Sequence, residues 1–352
     1  MKIKIGSKFI SREGKPYVIA EIGVNHGCSL ILAKKMILSA KKAGADAVKF
    51  QSYKAEGLVV KKSPAYWDLK SEKTKSQFAL FKKYDKFNIN DYEKLYNYCK
   101  KIRIDFSTTP FDIATVDKLD HLVKYYKVAS SDITNFILLK KIASKKKPIL
   151  LSTGASTINE IKNAINFLVK NKINKKNIII MHCILSYPTK DEDANINMIK
   201  NLNDEFSDHI IGYSDHTMPK NNMLILTSSF INGAVVIEKH FTFNKKLKGN
   251  DHYHAMDEND LKVFQKNINQ IMISRGTSKK KVIKSELKSR KFARRSLVAL
   301  SDIKKNEILN IKKLSAKRPG TGISPKDINR IIGKRAKRNI KNDQILSWKD
   351  IS

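Results

Sequence analysis

Ile210-Ile211-Gly212-Tyr213-Ser214-Asp215-His216-Thr217 and Val235-Val236-Ile237-Glu238-Lys239-His240-Phe241 are two short, strand-like runs that each arrive at a histidine, with a helical segment between them. The two histidines stand 24 positions apart (240 − 216), a spacing that fits a strand, a crossover helix and a return to the neighbouring parallel strand. That connection puts both strand ends on one face, so His216 and His240 are expected to meet across one gap. Two imidazoles suit a divalent ion and leave positions for water or a substrate oxygen. A pair of ordinary hydrogen-bonded histidines is the alternative.

The same alternation extends outward in both directions. Strand-like runs at 17–23, 47–51, 105–109, 125–130, 148–153, 177–184, 209–214 and 234–240 are followed by helical spacing at 30–43, 91–102, 113–122, 135–144, 157–171, 194–206, 221–232 and 258–274. Eight strands alternating with eight helices predict an α/β fold of the (β/α)8, or TIM-barrel, kind. An open doubly wound sheet is the rival, but the first strand is not followed by Gly-x-Gly-x-x-Gly. An insertion at 52–88, carrying Tyr66-Trp67, is expected to lie over one end of the domain as loop with some helix.

Composition narrows the partners. Of 352 residues, 69 are Lys or Arg and 33 are Asp or Glu, a formal charge of +36. Lysines are spread over nearly every helix, as in Lys34-Lys35 and Lys140-Lys141, and no nucleic-acid motif accompanies them. This reads as a chain-wide bias on solvated faces, favouring small anionic substrates and excluding nucleic acid as the partner. Cys28, Cys99 and Cys183 are odd in number and far apart, which argues against a disulfide framework and for a reducing, cytoplasmic setting. No apolar run reaches membrane-spanning length, and the charged leader at 1–15 lacks a signal-peptide core.

In a barrel, polar residues at strand carboxyl ends converge on one mouth. Here they are Glu21, Lys49, Gln51, Thr108, Thr109, Lys127, Ser130, Ser152, Thr153, His182, Ser214, His216, Glu238 and His240. Two lysines among hydroxyls suit a phosphate or carboxylate, and Glu21 supplies a carboxylate able to move a proton or orient water. The set points to a metal-assisted reaction between an anionic small molecule and a carbonyl partner.

Beyond the barrel, 277–290 reads as a lysine-rich linker, and 291–352 as a small β-rich domain with an internal echo. Ile303-Lys304-Lys305-Asn306-Glu307-Ile308-Leu309 matches Ile340-Lys341-Asn342-Asp343-Gln344-Ile345-Leu346 at a constant offset of 37. Between the copies lies Lys317-Arg318-Pro319-Gly320-Thr321-Gly322, a tight loop whose arginine suits polar substrate groups or plain solvent. The catalytic domain is expected to span 1–276.

Taken in order, Glu21-Ile22-Gly23-Val24-Asn25-His26, Ala47-Val48-Lys49-Phe50-Gln51, Ser107-Thr108-Thr109-Pro110-Phe111-Asp112, Tyr126-Lys127-Val128-Ala129-Ser130, Leu151-Ser152-Thr153-Gly154, Tyr187-Pro188-Thr189, Ser214-Asp215-His216-Thr217, Glu238-Lys239-His240-Phe241 and Lys317-Arg318-Pro319-Gly320-Thr321-Gly322 resemble the motifs of the bacterial sialic acid synthase family. The resemblance runs nearly the whole chain and includes a carboxyl-terminal antifreeze-like, or SAF, domain of the β-clip type. It implies condensation of phosphoenolpyruvate with an open-chain N-acetylated hexosamine, such as N-acetylmannosamine, to give a nine-carbon sialic acid and phosphate. By the same resemblance, His216 and His240 hold a divalent ion, most often manganese, with magnesium or cobalt as substitutes, and Glu21 handles the proton. Lys49, Thr108, Thr109, Lys127, Ser130, Ser152 and Ser214 match positions contacting phosphoenolpyruvate, while Gln51, Tyr187, Asp251 and Arg318 match positions near the sugar. The family's arginine comes from the partner subunit of a domain-swapped homodimer.

Two positions depart from the pattern. Asp132, in Ser130-Ser131-Asp132, shortens a carboxylate that the family carries on the sugar side, and Leu185 stands where an asparagine is common. Both bear on which sugar is taken. A 2,4-diacetamido-trideoxy-hexose, leading to legionaminic or pseudaminic acid, is the alternative acceptor, and another 3-deoxy-ulosonate synthase of the same chemistry is the rival enzyme.

Overall fold

The computed structural model describes residues 2–352 apart from 68, 70, 71, 248 and 250. Two compact units divide the chain, Met1–Arg275 and Gly276–Ser352. The first begins with a hairpin, β1 (Lys2–Ile5) and β2 (Lys8–Ser11). Eight strands then form one parallel sheet: β3 (Tyr17–Gly23), β4 (Ala47–Ser52), β5 (Asp105–Pro110), β6 (Tyr126–Val128), β7 (Ile149–Ser152), β8 (Ile178–Cys183), β9 (Ile210–Asp215) and β10 (Val236–His240). Their spatial order is β5-β4-β3-β10-β9-β8-β7-β6, and the two ends of that order, β5 and β6, lie beside one another. The sheet therefore curls into a nearly closed barrel, as the alternation predicted.

Each strand is buried on both faces because helices cover the outside and side chains fill the inside, which is why β8 reads Ile-Ile-Ile-Met-His-Cys with no alternation. Gly212 on β9 is one place where only glycine fits, since a Cβ there would meet the Met181 side chain and, at 2.6 Å, the Val236 carbonyl. The helices answer with an apolar stripe. In α1 (Leu30–Lys42) the buried residues are Ala33, Met36, Ile37 and Ala40, a spacing of three and four that places them on one face. Four further helices flank the early strands: α2 (Ala55–Leu58), α3 (Gln77–Tyr84), α4 (Ile89–Ile102) and α5 (Ile113–Leu119). The first two lie in the 52–88 insertion, whose other described residues are mainly loop. The later strands are followed by α6 (Phe136–Ser144), α7 (Ile158–Lys170), α8 (Met198–Glu205), α9 (Leu224–Ile231) and α10 (Glu258–Ser274). Thr157 and Glu160 close a reciprocal capping box at the start of α7, satisfying two of its orphan donors.

Two helices start later than their sequence spacing suggests. Asn221, Asn222 and Met223 all adopt left-handed backbone angles, so α9 begins only at Leu224. Asn195 does the same ahead of α8. Asparagine tolerates this conformation better than most residues, and these asparagines shorten the helices.

The leader is not an extended tail. Ile3, Ile5 and Ile10 join the barrel core, and Asp105, at the amino-terminal end of β5, accepts from Ser7 N (2.6 Å), Ser7 Oγ (2.8 Å), Tyr17 Oη (2.9 Å) and Lys124 Nζ (2.9 Å). The hairpin is thereby fixed to the end of the barrel opposite the strand carboxyl ends, leaving the latter for chemistry.

In the second unit a short helix, α11 (Leu287–Phe292), precedes β11 (Ser296–Ala299) and its antiparallel partner β12 (Leu314–Lys317). The echo of 37 positions is a structural symmetry. Ile303 and Ile340 exchange both backbone hydrogen bonds, at 2.8 and 2.9 Å. Ala299 N donates to Gln344 O at 3.1 Å, and the equivalent Ala336 N donates to Glu307 O at 3.0 Å. Asn306 and Asp343, again 37 apart, both take left-handed angles, at φ 69 and φ 63. The residues buried between the copies include Leu309, Ile340 and Leu346, a core separate from that of the barrel.

Candidate active site

The four adjoining strands β9, β10, β3 and β4 bring the chemistry together by register. Glu238 pairs with Ser214, His240 with Glu21, and Glu21 with Lys49. At Ile22 the β3–β4 register slips, and Gly23 follows at φ +54, so β3 ends in a bulge just past Glu21. A cavity of about 500 Å³ opens at this end of the barrel, within the usual range for a small-molecule site. Its wall includes Glu21, Lys49, Gln51, Thr109, Lys127, Ser130, Asp132, Ser152, Tyr187, Ser214, His216, Glu238, His240 and Asp251.

Two buried lysines and two buried glutamates form the floor. Lys49 Nζ faces the Glu21 carboxylate directly, donates to Thr109 Oγ1 at 2.8 Å and lies 3.8 Å from Glu238. Lys127 Nζ is 3.3 Å from Glu238 Oε1, which also accepts from Ser214 Oγ at 2.9 Å. Burial raises both carboxyls, but the two acids are treated differently. Lys127 and Lys49, with the Ser214 bond, hold Glu238 below its ordinary value. Glu21 is raised by burial to about 7, Lys49 offsetting part of the rise and Glu238 adding to it. One carboxylate stays ionised to balance the lysines, and the other changes state near neutrality.

Above the floor sit three imidazoles and a tyrosine. His216 and His240 have ring centroids 5.6 Å apart, and Tyr187 lies 4.2 Å from the His216 ring. His216 Nδ1 donates to the Ile184 carbonyl at 2.8 Å, which fixes the ring and leaves Nε2 for another partner; burial lowers its pKa, but Cys183, the Ile184 bond and Asp215 together hold it above the ordinary histidine value. His240 Nδ1 has no hydrogen-bond partner among the described residues and lies 3.7 Å from Asp251 Oδ2. Ligand atoms of His240, Asp251 and His254 all fall within 4.8 Å of one another. Burial holds His240 and His254 well below the ordinary histidine value, hence neutral, the form that ligates a metal. Buried ring nitrogens of His240 and His254 without partners among the described residues, beside the Asp251 carboxylate, fit a divalent ion.

The remaining sequence candidates fall in three places. Ser130 Oγ accepts from Gly154 N at 2.9 Å, and a Cβ at Gly154 would come within 2.8 Å of that hydroxyl, so glycine is required there. Ser152 Oγ is buried in the cavity wall without a hydrogen-bond partner among the described residues, as is one oxygen of Asp132. Thr108 is turned to the other face of β5, where its hydroxyl contacts Ser52 Oγ at 2.6 Å and donates to Phe50 O at 3.1 Å. His182 likewise leaves the rim, stacking on Tyr213 and bonding to Ala194 O at 3.0 Å. Arg318 belongs to the second unit, where it is exposed beside the Arg318–Pro319 cis peptide. Sequence reasoning missed His254, although Asp251-His252-Tyr253-His254 puts three ligand-type side chains in four positions just after a strand end.

The chain matches the sequence profile of the NeuB family over residues 36–280 and that of the SAF domain over 294–352. It is 40% identical to the N,N'-diacetyllegionaminic acid synthase of Campylobacter jejuni over 335 residues, covering 94% of this chain and 99% of that one. It is 32% identical to the pseudaminic acid synthase of Helicobacter pylori, covering 96% and 98% respectively. The crystal structure of the N-acetylneuraminic acid (sialic acid) synthetase of Leptospira borgpetersenii superposes with a TM-score of 0.70 at 30% identity, over 82% of this chain and 95% of that one.

Proposed function

The chain belongs to the NeuB family, and from that premise we propose that it condenses phosphoenolpyruvate with the open-chain form of an N-acetylated hexosamine, giving a nine-carbon sialic acid and phosphate. The observation that carries this reading is that the buried ion pairs of Lys49, Lys127, Glu21 and Glu238 line one cavity with His216 and His240. Lys49 and Lys127 take the phosphate and carboxylate of phosphoenolpyruvate, helped by Thr109, Ser130, Ser152 and Ser214. Gln51, Tyr187, Asp132 and Asp251 face the sugar.

In the reaction, C3 of the enol forms a bond to the aldehyde carbon of the sugar, whose oxygen takes a proton from solvent, leaving an oxocarbenium at C2. Water then adds at C2, giving up its proton to the Glu21 carboxylate. The C2–O bond to phosphate then breaks, the C2 hydroxyl passing its remaining proton to the departing phosphate as the ketone forms. A divalent ion, most simply manganese, held by His216 and His240 supplies polarisation of the aldehyde oxygen when bound.

Arg318 completes the site of a second subunit in a domain-swapped homodimer. The setting is the cytoplasm, in keeping with three unpaired cysteines and with no described helix long and apolar enough to cross a membrane. A second reading takes a 2,4-diacetamido-trideoxy-hexose as acceptor, and the 40% identity to the legionaminic acid enzyme favours it. Phosphate release with phosphoenolpyruvate and a panel of N-acetylmannosamine, two diacetamido sugars, erythrose 4-phosphate and arabinose 5-phosphate, with the product mass recorded, tests both. Turnover with a phosphosugar alone would reject the proposal.

A further inference from the structure

His254 is fully buried, and neither of its ring nitrogens finds a hydrogen-bond partner among the described residues. Buried polar atoms without partners are rare, and two on one ring call for something that the chain does not itself supply. The loop after β10 returns to the end of that strand, with Met256 N donating to His240 O at 2.8 Å and Thr242 N donating to Met256 O at 2.9 Å. That return sets His254 beside the His240 ring, centroid to centroid 4.9 Å. Among the described residues, His240 Nδ1 beside it is also buried without a hydrogen-bond partner, with Asp251 Oδ2 at 3.7 Å.

The ring separations bear on a shared ion. With a metal–nitrogen bond near 2.1 Å, imidazoles on one ion have centroids roughly 4.6 Å apart at right angles and roughly 6.5 Å apart when opposed. The three separations here are 4.9 Å for His240–His254, 5.6 Å for His216–His240 and 6.5 Å for His216–His254. All lie within that span, the His216–His254 pair at its outer limit; the ligand atoms already within 4.8 Å of one another are those of His240, Asp251 and His254, and His216 stands outside that group.

We propose that His254 is a third imidazole ligand of the divalent ion, joined by the Asp251 carboxylate, so that His216, His240, His254 and Asp251 hold it together. This rests on the reading that His216 and His240 bind such an ion. Four protein ligands leave about two positions of a six-coordinate ion for substrate oxygen and water, and the ion is retained more firmly than two histidines would hold it.

The test uses the full-length protein, stripped with a chelator and titrated with Mn²⁺, free ion being followed by its electron paramagnetic resonance signal. Pulsed resonance on the bound ion counts coordinated imidazole nitrogens. One ion per chain and three imidazoles are expected, falling to two in His254→Ala and His254→Gln, with affinity lower by about tenfold or more. Circular dichroism checks that the variants are folded, and if neither folds, the nitrogen count in the unsubstituted protein decides. Two imidazoles there, or folded His254 variants that bind Mn²⁺ as tightly as the parent, would overturn the inference and leave the proposed function standing. A parent protein that binds no Mn²⁺, or whose binding survives both His216→Ala and His240→Ala, would instead bring down the reading beneath it.

Discussion

Glu21 and Lys49 stand side by side on neighbouring strands, paired in register across β3 and β4, with the ammonium against the carboxylate and both side chains buried. Lysine alone would pull the carboxyl down, yet burial wins and Glu21 sits at about 7. As the proposed acceptor of a proton from water it would work only when ionised, so the sign follows directly. Activity from this group is present above about pH 7 and falls as pH drops through that value, by roughly tenfold per unit well below it. The acidic limb of kcat/KM against pH should therefore bend near 7. Glu21→Gln should keep phosphoenolpyruvate binding, measured calorimetrically, while kcat falls at least about 100-fold. An unchanged kcat in that variant removes Glu21 from the chemistry.

A second expectation concerns the segment that carries His216. Asp215 Oδ1 accepts from Tyr213 Oη and Thr217 N, both at 2.9 Å, and its other oxygen accepts from Lys239 Nζ at 2.6 Å. Lys239 also donates to Thr217 O at 2.6 Å, and neither charge is exposed to water. The pair clamps the residues on either side of His216. Lys239→Met strands a buried carboxylate and should destabilise the protein by about 3–5 kcal/mol, a fall in Tm on the order of 10 °C. Adding Asp215→Asn removes the stranded charge and should recover part of the loss. A double variant no more stable than Lys239→Met would mean that the ion pair is not what holds the segment.

Much of this arrangement is legible in the chain, and the rest is hidden for identifiable reasons. The strands of an all-parallel barrel are buried on both faces, so runs such as Ile178-Ile179-Ile180-Met181 announce themselves, and the polar residue that ends each run marks the mouth. Lys2-Ile3-Lys4-Ile5-Gly6-Ser7-Lys8-Phe9-Ile10 carries an alternation and a turn that spell a hairpin, yet its charge makes it read as a leader. Thr108 and Thr109 cannot be told apart in sequence, because which of two adjacent residues faces inward depends on the strand's register with β4. His254 arrives from a loop, where no periodicity reports direction, and only the backbone pairing of Met256 with His240 places it.

Removing the ion should separate its role from that of the lysine floor. Lys49 and Lys127 lie on β4 and β6, apart from His216 and His240, so phosphoenolpyruvate binding should survive thorough chelation while phosphate release stops. Mn²⁺ should restore turnover in the parent protein and fail to do so in His216→Ala and His240→Ala. Calorimetry of phosphoenolpyruvate binding, run beside the phosphate assay on the same stripped sample, makes the comparison. An enzyme indifferent to chelation sinks the metal-assisted mechanism.

The last expectation turns on Arg318, which sits in the second unit, while Glu21 sits in the first. If Arg318 serves the neighbouring subunit, Glu21→Gln and Arg318→Ala damage different halves of a composite site. Each variant alone should be nearly inactive. A dimer made of one chain of each kind has one site with both substitutions and one with neither, so a freely exchanged equal mixture should recover about a quarter of the parent's activity. If Arg318 serves its own barrel, every site in the mixed dimer carries one lesion and nothing is recovered. Mixing after mild denaturant exchange, with phosphate release as the readout and the mass of the assembly measured alongside, distinguishes the two. Recovery near a quarter places the arginine in the partner's site, and a flat baseline from a mixture shown to exchange subunits places it in its own.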